Sequence, residues 1–360
     1  MSPAAILARS LVLIRANQSP SGAYLASPDL REYRNSWFRD GTFIADAMSR
    51  AGETESAEAF FGWCCRLLEE RADTVESLIE RHRAGEAIAP DEHLRARYTA
   101  DGRDVPGAWS NFQLDGYGSW VWALAAHVDR HGADDEPFRT GALLSLRYAA
   151  EFWREPCYDW WEERLGVHTA TLAALHAALQ AGSRWLPEGV GVAAEIAAAT
   201  RAEGVRDGVL CAALGEERLD ASVLACATPF RLFEPGDPVM EATVQALEEA
   251  GVAHGGVHRY PDDAYYGGGE WILLAAFLGW YFADAGRPDA ARAQLDWIVA
   301  QARPEGDLPE QVREHLLAPE QYEPWEGRWG PPASPLLWSH AMFVTLALEL
   351  GVRAPEASHV

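Results

Sequence analysis

Apolar residues recur at helical spacing in about a dozen segments of this chain, and almost nowhere in the alternating pattern of a strand. The segments are Ala4 to Ala16, Asp40 to Ala51, Ala57 to Arg83 with room for a break, Gln113 to His131, Phe138 to Trp153, Thr169 to Gly182, Val190 to Gly204, Pro238 to Gly251, Glu270 to Ala285, Pro288 to Ala302 and Pro335 to Leu350. The ambiguous stretch 207–229 reads as short helices, and Gly256 to Tyr260 is the best short strand candidate. Gly85 to Ala108, with Pro90, Gly102, Pro106 and Gly107, reads as a long loop of the kind that is often functional. No linker, low-complexity run or repeat of fixed period divides the chain. With 48% hydrophobic residues over 360 positions, such a pattern is expected to give one all-α domain over 1–360. An inner and an outer ring of helices buries it well, with the site in the loops at one end.

Charge narrows the function. The 30 basic and 54 acidic residues give a formal charge of −24, a field that repels nucleic acid and anionic membranes and fits a neutral substrate. Every basic residue in that count is Arg, which excludes Schiff-base lysine chemistry. The five cysteines, Cys64, Cys65, Cys157, Cys211 and Cys226, form no CxxC pair and read as buried free thiols in a reducing compartment. The first helical segment carries Arg9 and Arg15 and lacks the apolar core of a signal peptide. A cytoplasmic protein is expected. HExxH, P-loop, GxGxxG and GxSxG patterns do not occur, and neither a metal nor a cofactor is expected.

The chemistry concentrates first in Cys157-Tyr-Asp-Trp-Trp-Glu-Glu-Arg-Leu-Gly-Val-His-Thr169, where Glu162 and Glu163 follow two tryptophans, with Asp159 just upstream. A carboxyl group held against indole rings loses hydration, which raises its pKa. Still protonated near neutrality, it can donate to a leaving oxygen. The bland alternative is an acidic helix start. It is countered by a second carboxylate in Gly306-Asp-Leu-Pro-Glu310-Gln311, since glycoside hydrolysis commonly needs two carboxyl groups flanking one bond.

Other stretches pair polar with aromatic residues. Tyr33-Arg-Asn-Ser-Trp37-Phe-Arg39-Asp40-Gly41 offers a donor–acceptor clamp for sugar hydroxyls, or simply a capped helix with a surface Arg. Trp109-Ser-Asn-Phe-Gln113-Leu-Asp115 combines an aromatic wall with an amide and a carboxylate. The loop from Gly255 through Arg259, Asp263 and Tyr265 to Glu270 and Trp271 is the densest polar-aromatic run, and too aromatic for a solvent-exposed linker. Glu270 follows three glycines; it is either a helix-start acid or a contact to the second sugar of a substrate. His340 reads as a structural hydrogen-bonder.

Six motifs, in order from about residue 33 to 351, resemble glycoside hydrolase family 15, the glucoamylase family: SWFRDG at Ser36, NFQLDGYG at Asn111, YDWWEE at Tyr158, HRYPDDAYYGGGEW at His258, LPEQ at Leu308 and PLLWSHA at Pro335. The resemblance implies an (α/α)6 barrel, inversion at the anomeric carbon, Glu162 as general acid and Glu310 as general base. It implies Arg39 and Asp40 on the non-reducing-end glucose, with Arg259 and Asp263 at further sugar positions. Tyr33, Trp37, Trp109, Trp161 and Trp338 match aromatics around the cleaved sugar, and Asp159 and Glu163 match acidic neighbours of the acid. Neither a β-sandwich nor a starch-binding domain is expected within these 360 residues. The chain also has Gly267-Gly268-Gly269-Glu270 where fungal relatives carry an Asn-Pro turn, and His340 where Tyr is common. It therefore resembles compact members acting on short sugars. Isomaltose is the first expectation, then maltose-type substrates, then trehalose; a non-catalytic sugar-binding protein is the alternative of another class.

Overall fold

A computed structural model of the chain describes residues 1–251 and 255–354. Thirteen α-helices occur among them: α1 Pro3–Ala16, α2 Phe38–Arg50, α3 Thr54–Glu69, α4 Ala72–Arg83, α5 Asp115–His131, α6 Arg139–Phe152, α7 Thr169–Ala181, α8 Gly189–Glu203, α9 Pro238–Gly251, α10 Ile272–Asp284, α11 Pro288–Gln301, α12 Tyr322–Trp329 and α13 Leu337–Glu349. The break expected within 57–83 falls at Glu70-Arg71, between α3 and α4.

Packing sorts them into two rings. α2, α5, α7, the short 3-10 helix Ala221–Cys226, α10 and α13 each touch the next, and α13 closes back on α2. α1, α3, α6, α8, α9 and α11 pack around them, giving an (α/α)6 barrel. The inner helices are largely buried, and α10, apolar all round, is buried on every side: every residue from Ile272 to Phe282 is buried. Contact is close enough that a Cβ on Gly118 of α5 would stand 2.8 Å from the Ala174 backbone of α7. One continuous hydrophobic cluster runs from Ile6 to Ala347.

Beside three isolated bridges, strands among the described residues occur as four two-residue antiparallel pairs. Three of them, Ser36–Trp37 with Arg97–Tyr98, Cys157–Tyr158 with Leu165–Gly166, and Glu270–Trp271 with Gln311–Val312, pin loops at one end of the barrel. The strand expected at Gly256 to Tyr260 is absent. Val257 accepts one bond from the Trp271 N–H (2.8 Å), and the chain turns at Tyr260-Pro261 before a ladder can form. α10 starts at Ile272 instead of Glu270, because the two residues before it are in strand pairing. α12 was not visible in the periodicity, since Pro324 and Gly327 interrupt its eight residues.

Candidate active site

A cavity of about 640 Å³ opens at this end of the barrel. Tyr33, Trp37, Arg39, Asp40, Trp109, Trp161, Glu162, Glu163, Arg259, Glu310 and Trp338 all line it, so folding gathers residues from positions 33 to 338. Arg39 and Asp40 come from the first turn of α2, and Trp338 from the first turn of α13.

Glu162 sits on the tight turn between Cys157–Tyr158 and Leu165–Gly166, in the left-handed region at φ 64°. For a residue with a side chain this costs of order 1–3 kcal/mol and persists only when the surroundings hold it. Asp159 supplies part of the hold: its Oδ1 accepts the backbone N–H groups of Glu163 (2.8 Å) and Arg164 (3.3 Å). The Trp37 indole and the Gln113 amide both donate to Oε1 of Glu162 at 2.8 Å, and an Arg39 nitrogen lies 3.8 Å away. No protein donor reaches Oε2 among the described residues. Burial raises the Glu162 pKa, against the opposing pull of Arg39, Gln113 and Trp37.

Glu310 is built differently. Its backbone lies just before the pairing of Gln311 with Trp271. Tyr33 donates to its Oε1 (2.9 Å), the Tyr265 hydroxyl is 3.5 Å from Oε2, and the two hydroxyls are 3.2 Å apart. Burial pushes its pKa up to about 7; the Tyr33 hydrogen bond and Arg259 oppose this, and Asp40 adds to it. Asp40 is likewise pushed up to about 7 by burial, against its neighbour Arg39.

The two arginines are fixed from behind. Arg39 Nη1 donates to Gln113 (2.7 Å) and to Asp115 (3.1 Å) at the start of α5. Asp263 accepts from Nε (2.7 Å) and Nη2 (2.6 Å) of Arg259, and Glu163 also accepts from Nη2 (3.0 Å). This leaves Nη1 of Arg259 without a protein acceptor among the described residues. Asp263 thus orients Arg259 and does not itself line the cavity.

Glu270 is not part of the cavity lining. Successive residues in a strand point to opposite faces; Trp271 lines the cavity while Glu270 is buried away from it, 3.2 Å from His315 Nδ1. The proposed contact to a second sugar is therefore corrected, and so is the helix-start alternative. His340 is a buried structural group, receiving the Leu308 N–H on Nε2 (2.9 Å) and meeting Ser10 through Nδ1 (2.8 Å); burial pushes its pKa down to about 3. Several supports were not singled out from sequence. Gln113 lay inside a noted motif without a role, and Tyr265 inside the polar-aromatic loop. Asp220, which accepts the Trp161 indole N–H at 3.0 and 3.1 Å, gave no local signal. Among the described residues no His, Cys, Asp or Glu cluster could hold a metal ion, and no helix is long and apolar enough to cross a membrane. All five cysteines are free and buried.

A buried carboxyl group, Glu310, and a part-buried one, Glu162, both with raised pKa values and walled by indoles at one end of an (α/α)6 barrel, are what a glycoside hydrolase needs. The sequence profile of Glycosyl hydrolases family 15 matches residues 3–295, a span that includes Glu162 and ends before Glu310. An isomaltose glucohydrolase from Kribbella flavida is 43% identical over 97% of this chain and 93% of its own. A glycosidase variant determined in complex with glucose superposes with a TM-score of 0.95 at 41% identity, covering 98% of this chain and 97% of that one. A bacterial glucoamylase complexed with acarbose shares the fold at a TM-score of 0.77 and 17% identity, over 97% of this chain and 56% of that one. The chain belongs to glycoside hydrolase family 15.

Proposed function

We propose that this protein, as one catalytic domain, removes glucose from the non-reducing end of isomaltose and short isomalto-oligosaccharides, releasing β-glucose with inversion. The observation that carries this is the pair of carboxyl groups, Glu310 buried and Glu162 part-buried, with different supports in one cavity. Glu162 has Oε1 occupied by two N–H donors, and Oε2 holds the proton that goes to the glycosidic oxygen. Glu310, held by tyrosine hydroxyls, takes a proton from a water that attacks the opposite face of the ring. Arg39, Asp40 and the spare Nη1 of Arg259 contact the glucose hydroxyls, with Trp37, Trp109, Trp161 and Trp338 as its aromatic surroundings. Glu163 acts mainly through Arg259.

The isomaltose glucohydrolase relative supports the α-1,6 preference, ahead of maltose-type substrates and trehalose. The formal charge of −24 supports a neutral sugar as partner, in place of nucleic acid or a membrane surface. The free cysteines support a cytoplasmic location. A panel of isomaltose, maltose, kojibiose, nigerose and trehalose, with glucose release measured, tests the reading. Isomaltose should give the highest kcat/KM, without phosphate being consumed. A higher value on trehalose or maltose reassigns the linkage, and sugar binding without turnover removes the catalytic reading.

A further inference from the structure

Behind the cavity wall, the supports of the Glu162 turn meet at one guanidinium. Arg218 Nη1 is 2.7 Å from Asp220 Oδ2, and Asp220 in turn holds the Trp161 indole N–H and the Ser222 backbone N–H (2.9 Å). Arg218 Nη2 stands 3.9 Å from Asp159 Oδ2, while Oδ1 of the same Asp159 takes the backbone N–H groups of Glu163 and Arg164. The guanidinium also lies 5.4 Å from the ring centre of Tyr260, whose hydroxyl donates to Glu163. Its Nε is 3.7 Å from Glu216. None of Arg218, Asp159, Asp220 and Tyr260 lines the cavity.

Asp159 Oδ2 and Arg218 Nη2 are both buried and without a hydrogen-bond partner, 3.9 Å from each other. Opposite charges at that separation still attract strongly away from bulk water. Without the cation, Asp159 and Asp220 would be two buried carboxylates with nothing between them. Relief would come from rotating Asp159, which releases the backbone groups that keep Glu162 in its left-handed turn.

We infer that Arg218 is a positioning residue for Glu162, joining the carboxylate that ties the turn to the carboxylate that fixes the neighbouring indole. The inference rests on Glu162 being the proton donor, as read above. The chemistry it governs is selective. A displaced acid fails to protonate a poor leaving group, whereas Arg39 and Asp40 start α2 and Arg39 is held by Gln113 and Asp115, none of which Arg218 touches. A misplacement of about 1 Å at a reacting group can cost roughly 10²-fold in rate.

The test compares isomaltose with 4-nitrophenyl α-glucoside, whose leaving group needs little protonation, in Arg218→Ala, Arg218→Lys and Asp220→Asn, with Glu162→Gln as reference. For Arg218→Ala we expect kcat on isomaltose to fall roughly 10²-fold with KM changed less than about threefold, the nitrophenyl substrate to fall only several-fold, and Arg218→Lys to recover part of the loss. Asp220→Asn keeps the shape and an acceptor for Trp161 but removes the charge beside Arg218. It should show the same substrate split more weakly, and it carries the test if Arg218→Ala does not fold. Equal losses on both substrates that follow the melting temperature, or no loss on either, overturn the inference. If Glu162→Gln itself shows no substrate split, the donor assignment falls, and this inference with it. If Glu162→Gln shows the split and the Arg218 and Asp220 variants do not, only the role of Arg218 is refuted.

Discussion

Glu310→Gln should make the protein more stable at alkaline pH while removing its activity. The carboxyl group is buried, and its pKa stands at about 7 against an ordinary 4.5. Because the folded value is the higher one, the unfolded chain gives up its proton first as pH rises. The stabilising contribution is therefore complete below pH 4.5, declines between 4.5 and about 7, and is gone above that. At about 1.36 kcal/mol per pH decade, this interval corresponds to roughly 3 kcal/mol. Glutamine keeps the shape, can still accept from Tyr33, and has no proton to lose. Asp40, also raised, is present in both proteins, so the effect of its own burial cancels from the comparison, while its smaller charge effect on Glu310 does not. Urea unfolding followed by tryptophan fluorescence, at about pH 4.5 and pH 8, measures the difference. The variant should match the wild type at the lower pH and exceed it by up to ~3 kcal/mol at the higher. A difference independent of pH, or a variant less stable at pH 8, would refute the claim that burial raises this carboxyl.

The same shifts set the pH–rate profile: kcat/KM should fall on the acid side with a midpoint near 7 as Glu310 takes up its proton, and burial, which raises the Glu162 pKa, extends upward the range in which that acid keeps its proton. An acid limb centred near pH 4.5 would count against that assignment. Glu162→Gln should lower kcat on isomaltose by roughly 10²–10⁴-fold while partly sparing an aryl glucoside and leaving glucose binding in place, as calorimetry can check. Near-normal turnover of isomaltose would move the acid role to Glu163 or Asp159. Asp40→Asn should reduce kcat/KM by about 10- to 100-fold through both kcat and KM, since a charged contact to a hydroxyl contributes ~1.5–3 kcal/mol. A change in KM alone would make Asp40 a ground-state binder only.

The residues around Glu162, Arg39 and Arg259 could be read from sequence because each lies in a run where acids, arginines and aromatics crowd together, a composition with no good use on a solvent-exposed face. The barrel was legible because apolar residues recur at helical spacing along most of its helices, and in α10 from Ile272 to Phe282 extend all round. What stayed hidden depends on contacts between distant positions. Asp220 meets Trp161 across 59 residues, and nothing local distinguishes it from an ordinary capping acid. Glu270 misled for the opposite reason. Glycines beside a carboxylate resemble a ligand loop, but pairing of Glu270–Trp271 with Gln311–Val312 fixes which of the two neighbours faces the sugar site. α12, which brings Trp325 and Trp329 to the cavity, escaped because a Pro and a Gly within eight residues break the helical pattern.

The central claim is that Glu162 and Glu310 act on opposite faces of one glucose. The anomer released first reports this directly. Proton NMR in the first minutes of isomaltose hydrolysis, with enough enzyme to outrun mutarotation, should show the β-glucose anomeric signal rising before the α signal. Release of α-glucose first, or a glucosyl group trapped covalently on either glutamate, would contradict the account.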